Sequence, residues 1–143
     1  MILLDILAKS RIVVDTDVVS FIFGDRPQAQ FFRPFLQNKT LAVSFITIAE
    51  LFYGAYHAKW GNNRISGLER HLKNYVVLPY DYDMSIKWAE IRITTENKHL
   101  SIEDPDCWIA ACAMRHDCAL ATNNGKHYQH LAPELALISP SLI

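Results

Sequence analysis

The sequence predicts an α/β domain in which a four- to five-stranded, mostly parallel sheet lies between helices in three layers. Five short apolar runs have the length and composition of buried strands, at residues 12–14, 41–43, 76–78, 118–121 and 136–138. Helical periodicity occupies most of the chain between them, and this alternation is typical of a sheet covered by helices on both faces. Polar residues follow several of these runs, as they do in open sheets that bind ligands at the carboxyl ends of their strands.

Five stretches have the spacing of apolar residues that predicts a helix. They begin near residues 26, 47, 62, 83 and 105, and those from 26, 62 and 83 are expected to end near 36, 75 and 99. Asp25, which precedes Pro27, and Asp83 are candidate N-caps for two of these helices. In the helix from residue 47, Glu50 lies off the apolar stripe, so its side chain is expected on a different face.

Composition and charge exclude several classes of protein. With 143 residues, 50% of them hydrophobic, the chain is long enough for one domain with a proper core, and we expect residues 1–143 to form a single domain. Lys and Arg number 14 and Asp and Glu 15, which leaves a formal net charge of −1. A chain so nearly neutral has no overall field that attracts nucleic acid, so a nucleic-acid partner must be held by a local patch.

The cysteines and the N-terminal segment point to the cytoplasm. Cys107, Cys112 and Cys118 are odd in number and lack paired spacing, which argues against a disulfide framework and against a zinc site and favours buried, reduced thiols. The first ten residues, MILLDILAKS, have no basic n-region and few apolar residues. We therefore expect neither a signal peptide nor a membrane span there.

Four polar residues stand just after apolar runs or interrupt them: Asp15, Glu50, Asp106 and Asn124. If the runs are neighbouring parallel strands, these residues face one cleft. Each also has an ordinary structural explanation. Asp15 and Asp106 could cap a turn or helix, Glu50 could lie on a solvated helix face, and Asn124 could belong to a turn.

Three carboxylates gathered in one cleft repel one another and raise their own pKa values unless a cation neutralises them. Ligands that are all oxygen suit Mg²⁺ or Mn²⁺ rather than zinc. Such ions usually keep several waters and bind phosphate oxygens. The chemistry predicted for this cleft is therefore hydrolysis of a phosphodiester bond, with no His or Ser nucleophile.

Four motifs carry a resemblance to a known family. In this order and at these separations, VVDTDVVS, SFITIAELFYGA, SIEDPDCWIAACA and ALATNNGKHYQHL resemble the PIN-domain family, most closely its VapC-type toxins of bacterial toxin–antitoxin pairs. The resemblance covers about residues 11–138, which is where we expect the domain core. It implies a PIN-like parallel sheet, a Mg²⁺- or Mn²⁺-dependent endoribonuclease that cleaves RNA, a cognate VapB-like antitoxin, a homodimer, and contact with DNA only through the antitoxin.

By position, the resemblance makes Asp15, Glu50 and Asp106 the metal ligands and Asn124 the fourth catalytic position. Supporting roles are implied or suggested for a further set of residues: Thr16 and Thr122, which match small hydroxyl residues beside the acids, and Asp17, Asp104 and Lys126. Asp17 stands where many members have Asn, and Asn124 where others have Asp, so the two departures partly compensate in charge.

The supporting set has alternatives. Asp104, two residues before Asp106, could point into the cleft or remain a solvated acid, and Lys126 could meet an RNA phosphate or lie in a solvated turn. The competing hypothesis for the whole chain is a non-catalytic RNA-binding or protein-interaction module on the same fold. Metal-dependent hydrolysis distinguishes the two, since only an enzyme loses nearly all turnover when Asp106 is replaced by Asn.

Overall fold

In a computed structural model that describes residues 9–142, the sheet has five strands, all parallel, in the order β3-β2-β1-β4-β5. The predicted sheet is confirmed. The strands are β1 (Arg11–Val14), β2 (Thr40–Ser44), β3 (Val76–Leu78), β4 (Ala119–Ala121) and β5 (Leu137–Ile138). The segment before Lys9, for which the sequence predicts neither signal peptide nor membrane span, lies outside the described residues.

Helices connect the strands and cover both faces of the sheet. They are α1 (Thr16–Phe23), α2 (Ala29–Leu36), α3 (Phe45–His57), α4 (Asn62–Leu72), α5 (Tyr82–Asn97), α6 (Asp104–Arg115) and the short α7 (Gly125–Tyr128), with 3₁₀ turns at Gln129–Leu131 and Pro140–Leu142.

Two hydrophobic clusters lie on opposite faces of the sheet, which confirms the three layers. Ile12 and Val14 of β1 face the cluster formed with α1 to α4, whereas Val13 faces the cluster formed with α5 to α7. Successive side chains of a strand point to opposite faces, so a strand buried on both sides reads as a continuous apolar run. This explains why these runs are apolar throughout and show no alternation of apolar and polar residues.

Four local predictions differ from the structure. Helix α1 was not expected, because residues 16–23 are apolar on most faces and follow β1 without a break. Asp25 does not cap α2, since its backbone has φ +50° in a turn before the helix begins at Ala29. Asp81, rather than Asp83, caps α5 by accepting the Met84 amide, and α4 ends at Leu72 instead of continuing to residue 75.

Two helices begin at the residue that ends or follows a strand. The Asp15 carboxylate caps α1 by accepting the Thr16 amide, and the Ser44 hydroxyl caps α3 by accepting the Ile46 amide. Capping satisfies amides that the first turn of a helix leaves without partners. The predicted capping role of Asp15 is therefore real, and it fixes a carboxylate at the carboxyl end of the central strand.

The three cysteines are free and buried, as predicted. Burial raises the pKa of the Cys107 thiol to about 11 and that of Cys112 to about 12, so both remain protonated. In the described part of the chain, no helix combines the length and the hydropathy that a membrane crossing requires.

Candidate active site

Asp15 lies at the centre of the carboxyl edge of the sheet, and its side chain is held by three donors. Its Oδ1 accepts the Thr16 amide at 2.7 Å, and its Oδ2 accepts the Thr122 hydroxyl at 2.7 Å and the Tyr128 hydroxyl at 3.4 Å. Asp15 is only 5% exposed. Elements at the ends of β1 and β4 thus fix one buried carboxylate in a single orientation.

The environment of Asp15 disfavours its charged form. Burial, and then the neighbouring Asp17 carboxylate, raise the pKa of Asp15 from 3.8 to about 7, although bonds from Thr122 and Thr16 act in the opposite direction. Burial also raises the pKa of Asp17, with a further contribution from Asp106. These are the shifts expected when like charges share a partly desolvated site without a cation.

Thr16 connects Glu50 to this centre. The Thr16 hydroxyl donates to Glu50 Oε1 at 2.7 Å, and the buried Thr47 hydroxyl lies 3.0 Å from the Thr16 oxygen. Glu50 itself is exposed on α3, as the sequence predicts. One threonine therefore donates its amide to Asp15 and its hydroxyl to Glu50, which brings together acids that are distant in sequence.

Asp106 lies in the first turn of α6 and not at its N-cap, which is Glu103. Its side chain is 24% exposed, and His127 Nδ1 lies 3.4 Å from its Oδ2. The carboxylate also interacts with the Tyr128 hydroxyl and raises the pKa of Asp15 by repulsion. The structure thus places Asp106 beside Asp15, at the edge where the sequence predicts it.

The loop after β4 completes the edge. Asn124 donates from Nδ2 to Asp17 Oδ2 at 3.3 Å, and its amide donates to the Thr122 hydroxyl at 3.1 Å. Asn124 thus lies beside Asp17 and stands at the N-cap of α7 rather than in a turn. The charge compensation predicted between Asn124 and Asp17 is a direct contact between the two side chains.

Two residues of the predicted supporting set lie apart from these contacts. Asp104 forms an ion pair with Arg92, with Arg92 Nη2 3.2 Å from Asp104 Oδ1, so it faces α5. Lys126 is exposed on α7, and its side chain is available to solvent at the same loop. Asp104 is therefore not one of the acids that surround Asp15.

Sequence reasoning missed three contributors to this edge. Thr47 precedes Glu50 by three residues on one helix. Side chains at this spacing are neighbours on the helix surface, so the sequence does contain a signal for Thr47. Nothing in the sequence indicates that Tyr128 reaches Asp15, which is 113 residues away. The sequence likewise does not indicate that His127 contacts Asp106, whose Oδ2 lies 3.4 Å from His127 Nδ1.

The donors at this edge fit a hard divalent cation. They are carboxylate, hydroxyl and carboxamide oxygens, and within residues 9–142 no Lys or Arg forms an ion pair with Asp15, Asp17, Glu50 or Asp106. Over the same residues, no three Asp, Glu, His or Cys side chains converge as a complete ligand set. An ion that keeps several waters and takes one or two direct carboxylates suits this arrangement better than zinc.

A family model described as the PIN domain matches residues 12–132, a span that contains all of these acids. The chain belongs to the PIN-domain family. The resemblance predicted from the four motifs is thereby confirmed, and the five-stranded parallel sheet is the PIN-like fold that the resemblance implies.

Relatives of this PIN domain are named as ribonucleases. Ribonuclease VapC2 of Rickettsia felis is 28% identical over 127 residues, which cover 87% of this chain and 94% of that protein. The tRNA(fMet)-specific endonuclease VapC of Salmonella typhimurium is 25% identical over 121 residues, which cover 85% of this chain and 92% of that protein.

Solved structures share the fold over almost the whole chain. VapBC2 from Rickettsia felis, bound to a DNA fragment from its promoter, has a TM-score of 0.78 at 26% identity and covers 90% of this chain and 98% of its own. VapBC-5 from Mycobacterium tuberculosis, a member of the VapBC family of toxin–antitoxin systems, has a TM-score of 0.65 at 23% identity and covers 91% and 97%. At that lower identity the likeness shows the fold alone.

Proposed function

We propose that this PIN-domain protein is a Mg²⁺- or Mn²⁺-dependent endoribonuclease, the toxin of a toxin–antitoxin pair. The observation that carries the proposal is a set of acids, Asp15, Glu50 and Asp106, brought to one sheet edge without a Lys or Arg partner among the described residues. The ribonuclease names of its relatives point to RNA as the substrate.

In this proposal Asp15, Glu50 and Asp106 hold the ion, directly or through the waters that it keeps, and Asn124 assists by contact with Asp17. When bound, the ion supplies positive charge beside the phosphate and a more acidic water. Thr122 and Thr16 keep Asp15 in one orientation, and Thr16 also fixes Glu50. We also propose that Lys126, which is exposed on α7, meets the phosphate backbone of the RNA.

The partners follow from the same proposal. VapBC complexes contain a second protein, so we propose a VapB-like antitoxin that presents a basic side chain to the acids and competes with metal for their charge. We propose a homodimer, contact with DNA only through the antitoxin, and action in the cytoplasm, where RNA substrates lie and the buried cysteines stay reduced. Residues 11–138 would form the core of one domain, since all five strands join one sheet.

The test is cleavage of a pool of structured cellular RNAs by purified protein free of antitoxin. We expect specific cuts with Mn²⁺ or Mg²⁺ that EDTA abolishes, leaving a 5′-phosphate and a 3′-hydroxyl. Asp106→Asn should abolish turnover, whereas Asp104→Asn, on the same helical turn but paired with Arg92, should leave it within about twofold, because exposed ion pairs contribute little.

Two results would contradict the proposal. A 2′,3′-cyclic phosphate product would show attack by the RNA's own hydroxyl instead of water. Folded protein that binds RNA without cleaving it, with Asp106→Asn binding as well as wild type, would establish the competing hypothesis of a non-catalytic RNA-binding module.

A further inference from the structure

Tyr128 is the largest fully buried side chain in the described part of the chain, and its hydroxyl points at the acids. It donates to Asp15 Oδ2 at 3.4 Å and also interacts with the Asp106 carboxylate. Asp15 follows β1 and Asp106 lies in the first turn of α6, so the hydroxyl contacts carboxylates from two distant segments. Packing of the ring does not itself need the hydroxyl, whose described contacts are with these acids.

The hydroxyl remains a hydrogen-bond donor throughout the working pH range. A tyrosine hydroxyl has an ordinary pKa of about 10, so it keeps its proton at neutral pH. A neutral phenol beside two carboxylates donates to them without adding charge. It therefore reduces their repulsion and still leaves the negative charge of the site available.

The two bonds to Asp15 Oδ2 differ in length. The Thr122 hydroxyl is 2.7 Å away and the Tyr128 hydroxyl 3.4 Å away, so the bond from Thr122 is the stronger. A carboxylate oxygen has two lone pairs. Thr122 therefore fixes Asp15 Oδ2, and the longer bond links the same oxygen to a hydroxyl that also interacts with Asp106.

The backbone that carries Tyr128 is fixed against the end of the sheet. Gly125 begins α7, and its amide donates to the Ser139 hydroxyl at 3.2 Å. A Cβ at Gly125 would lie only 2.7 Å from Ser139 Cβ, which leaves no room for a side chain. The position of the Tyr128 ring is thus determined by close packing of the loop after β4.

We propose that Tyr128 is a positioning residue whose hydroxyl holds Asp15 and Asp106 at the separation at which one divalent ion can use both carboxylates. The inference rests on the metal site of the proposed function. Because Tyr128 is fully buried, it would act through the acids and not by contact with RNA. Groups that orient metal ligands typically change metal affinity by about 10- to 100-fold when removed.

The experiment compares Tyr128→Phe with Tyr75→Phe. Tyr75 is a suitable control because it is also buried and its hydroxyl bonds His71 at 2.9 Å, on α4 and away from the acids. Binding of Mn²⁺ is measured by electron paramagnetic resonance without RNA. We expect Tyr128→Phe to raise the Kd for Mn²⁺ about tenfold, with an unchanged Tm, while Tyr75→Phe binds as wild type does.

Steady-state cleavage adds a second readout. Under subsaturating Mn²⁺, Tyr128→Phe should lower kcat and leave the KM for RNA unchanged, and excess Mn²⁺ should restore kcat. Wild-type Mn²⁺ affinity in Tyr128→Phe, or equal losses in both variants, would overturn the inference even when the wild type cleaves RNA. Conversely, weaker Mn²⁺ binding in Tyr128→Phe, in a protein whose wild type cuts no RNA, would leave the inference standing and overturn the proposed function.

Discussion

Two groups of acids in this protein have opposite surroundings. Three acids, Asp81, Asp83 and Asp104, have arginine partners: Arg115 Nη2 lies 2.8 Å from Asp81 and 3.5 Å from Asp83, and Arg92 pairs with Asp104 at 3.2 Å. At the carboxyl edge of the sheet, the described residues supply only hydroxyls, amides and one imidazole to the acids: Asp15, Asp17, Glu50 and Asp106.

The difference shows in the pKa values. A hydrogen bond from Arg115 lowers the pKa of Asp81, whereas burial and Asp17 raise the pKa of Asp15 to about 7. In the first group, arginines of the protein itself neutralise the acids. The second keeps like charges together in a partly buried site, and the comparison teaches that these acids are placed where the proposed cation would neutralise them.

The largest expected effect is on the stability of the metal-free protein towards unfolding. The folded pKa of Asp15, about 7, lies above its model value of 3.8, so the folded state binds the proton more tightly. Stability is therefore lost as pH rises from about 4 to about 7, by roughly 4 kcal/mol in all. In EDTA, we expect Asp15→Asn to have a higher Tm than wild type at pH 8 and a much smaller advantage at pH 5.

Calorimetry at the two pH values checks this prediction, with Asp81→Asn as the control from the other group. Asp81 caps α5 and pairs with Arg115, so its replacement should lower Tm at both pH values. An Asp15→Asn variant that is less stable than wild type at pH 8 would show that the site is not destabilised by its charge.

A smaller effect, on Mn²⁺ binding and RNA cleavage, is expected when a lysine is introduced beside the acids at the carboxyl edge of the sheet. Asn124 is exposed and its amide reaches Asp17 at 3.3 Å, so Lys in its place would pair with that acid. Asn124→Lys should weaken Mn²⁺ binding and lower RNA cleavage by about tenfold, because the ammonium competes with the metal for the same charge. Unchanged Mn²⁺ affinity, measured by calorimetric titration, would contradict this account.

The smallest effect is expected from the opposite change. Asn124→Asp adds a carboxylate beside Asp17 and should increase Mn²⁺ affinity by about two- to threefold while lowering the stability of the metal-free protein. Parallel titration and thermal unfolding of this variant and Asn124→Lys would show whether charge at one position shifts metal binding and stability in opposite directions. Changes in the same direction would indicate damage to the loop instead.

Much of the fold followed from the sequence because buried parallel strands are short apolar runs. All five strands were predicted within about two residues, and the residues after β1, β2 and β4 indicated the edge that carries the acids. Helix α1 was missed, since its apolar faces left no clear period. Asp25 was assigned to a cap because sequence alone does not show that its backbone has a positive φ.

The sequence pointed to the acids of the candidate site and to Thr16 and Thr122 beside them, but not to Tyr128. Asp15, Glu50 and Asp106 stand out as polar residues in apolar surroundings. Tyr128 does not, because its role depends on packing of the loop after β4 against Ser139. Asp104 resembles Asp106 in sequence, and only the position of Arg92 on the neighbouring helix separates the two. Contacts between distant segments are thus what sequence patterns leave undetermined.

The most direct test of the account is calorimetric titration of Mn²⁺ into metal-free wild-type protein near pH 6.5, in buffers of different ionisation enthalpy. The raised pKa of Asp15 leaves much of this carboxyl protonated at that pH, so binding should release a proton. We expect saturable binding with proton release, lost in Asp15→Asn and kept in Asp81→Asn. Absence of binding, or binding that Asp15→Asn leaves unchanged, would contradict the claim that the unpaired acids form a metal site.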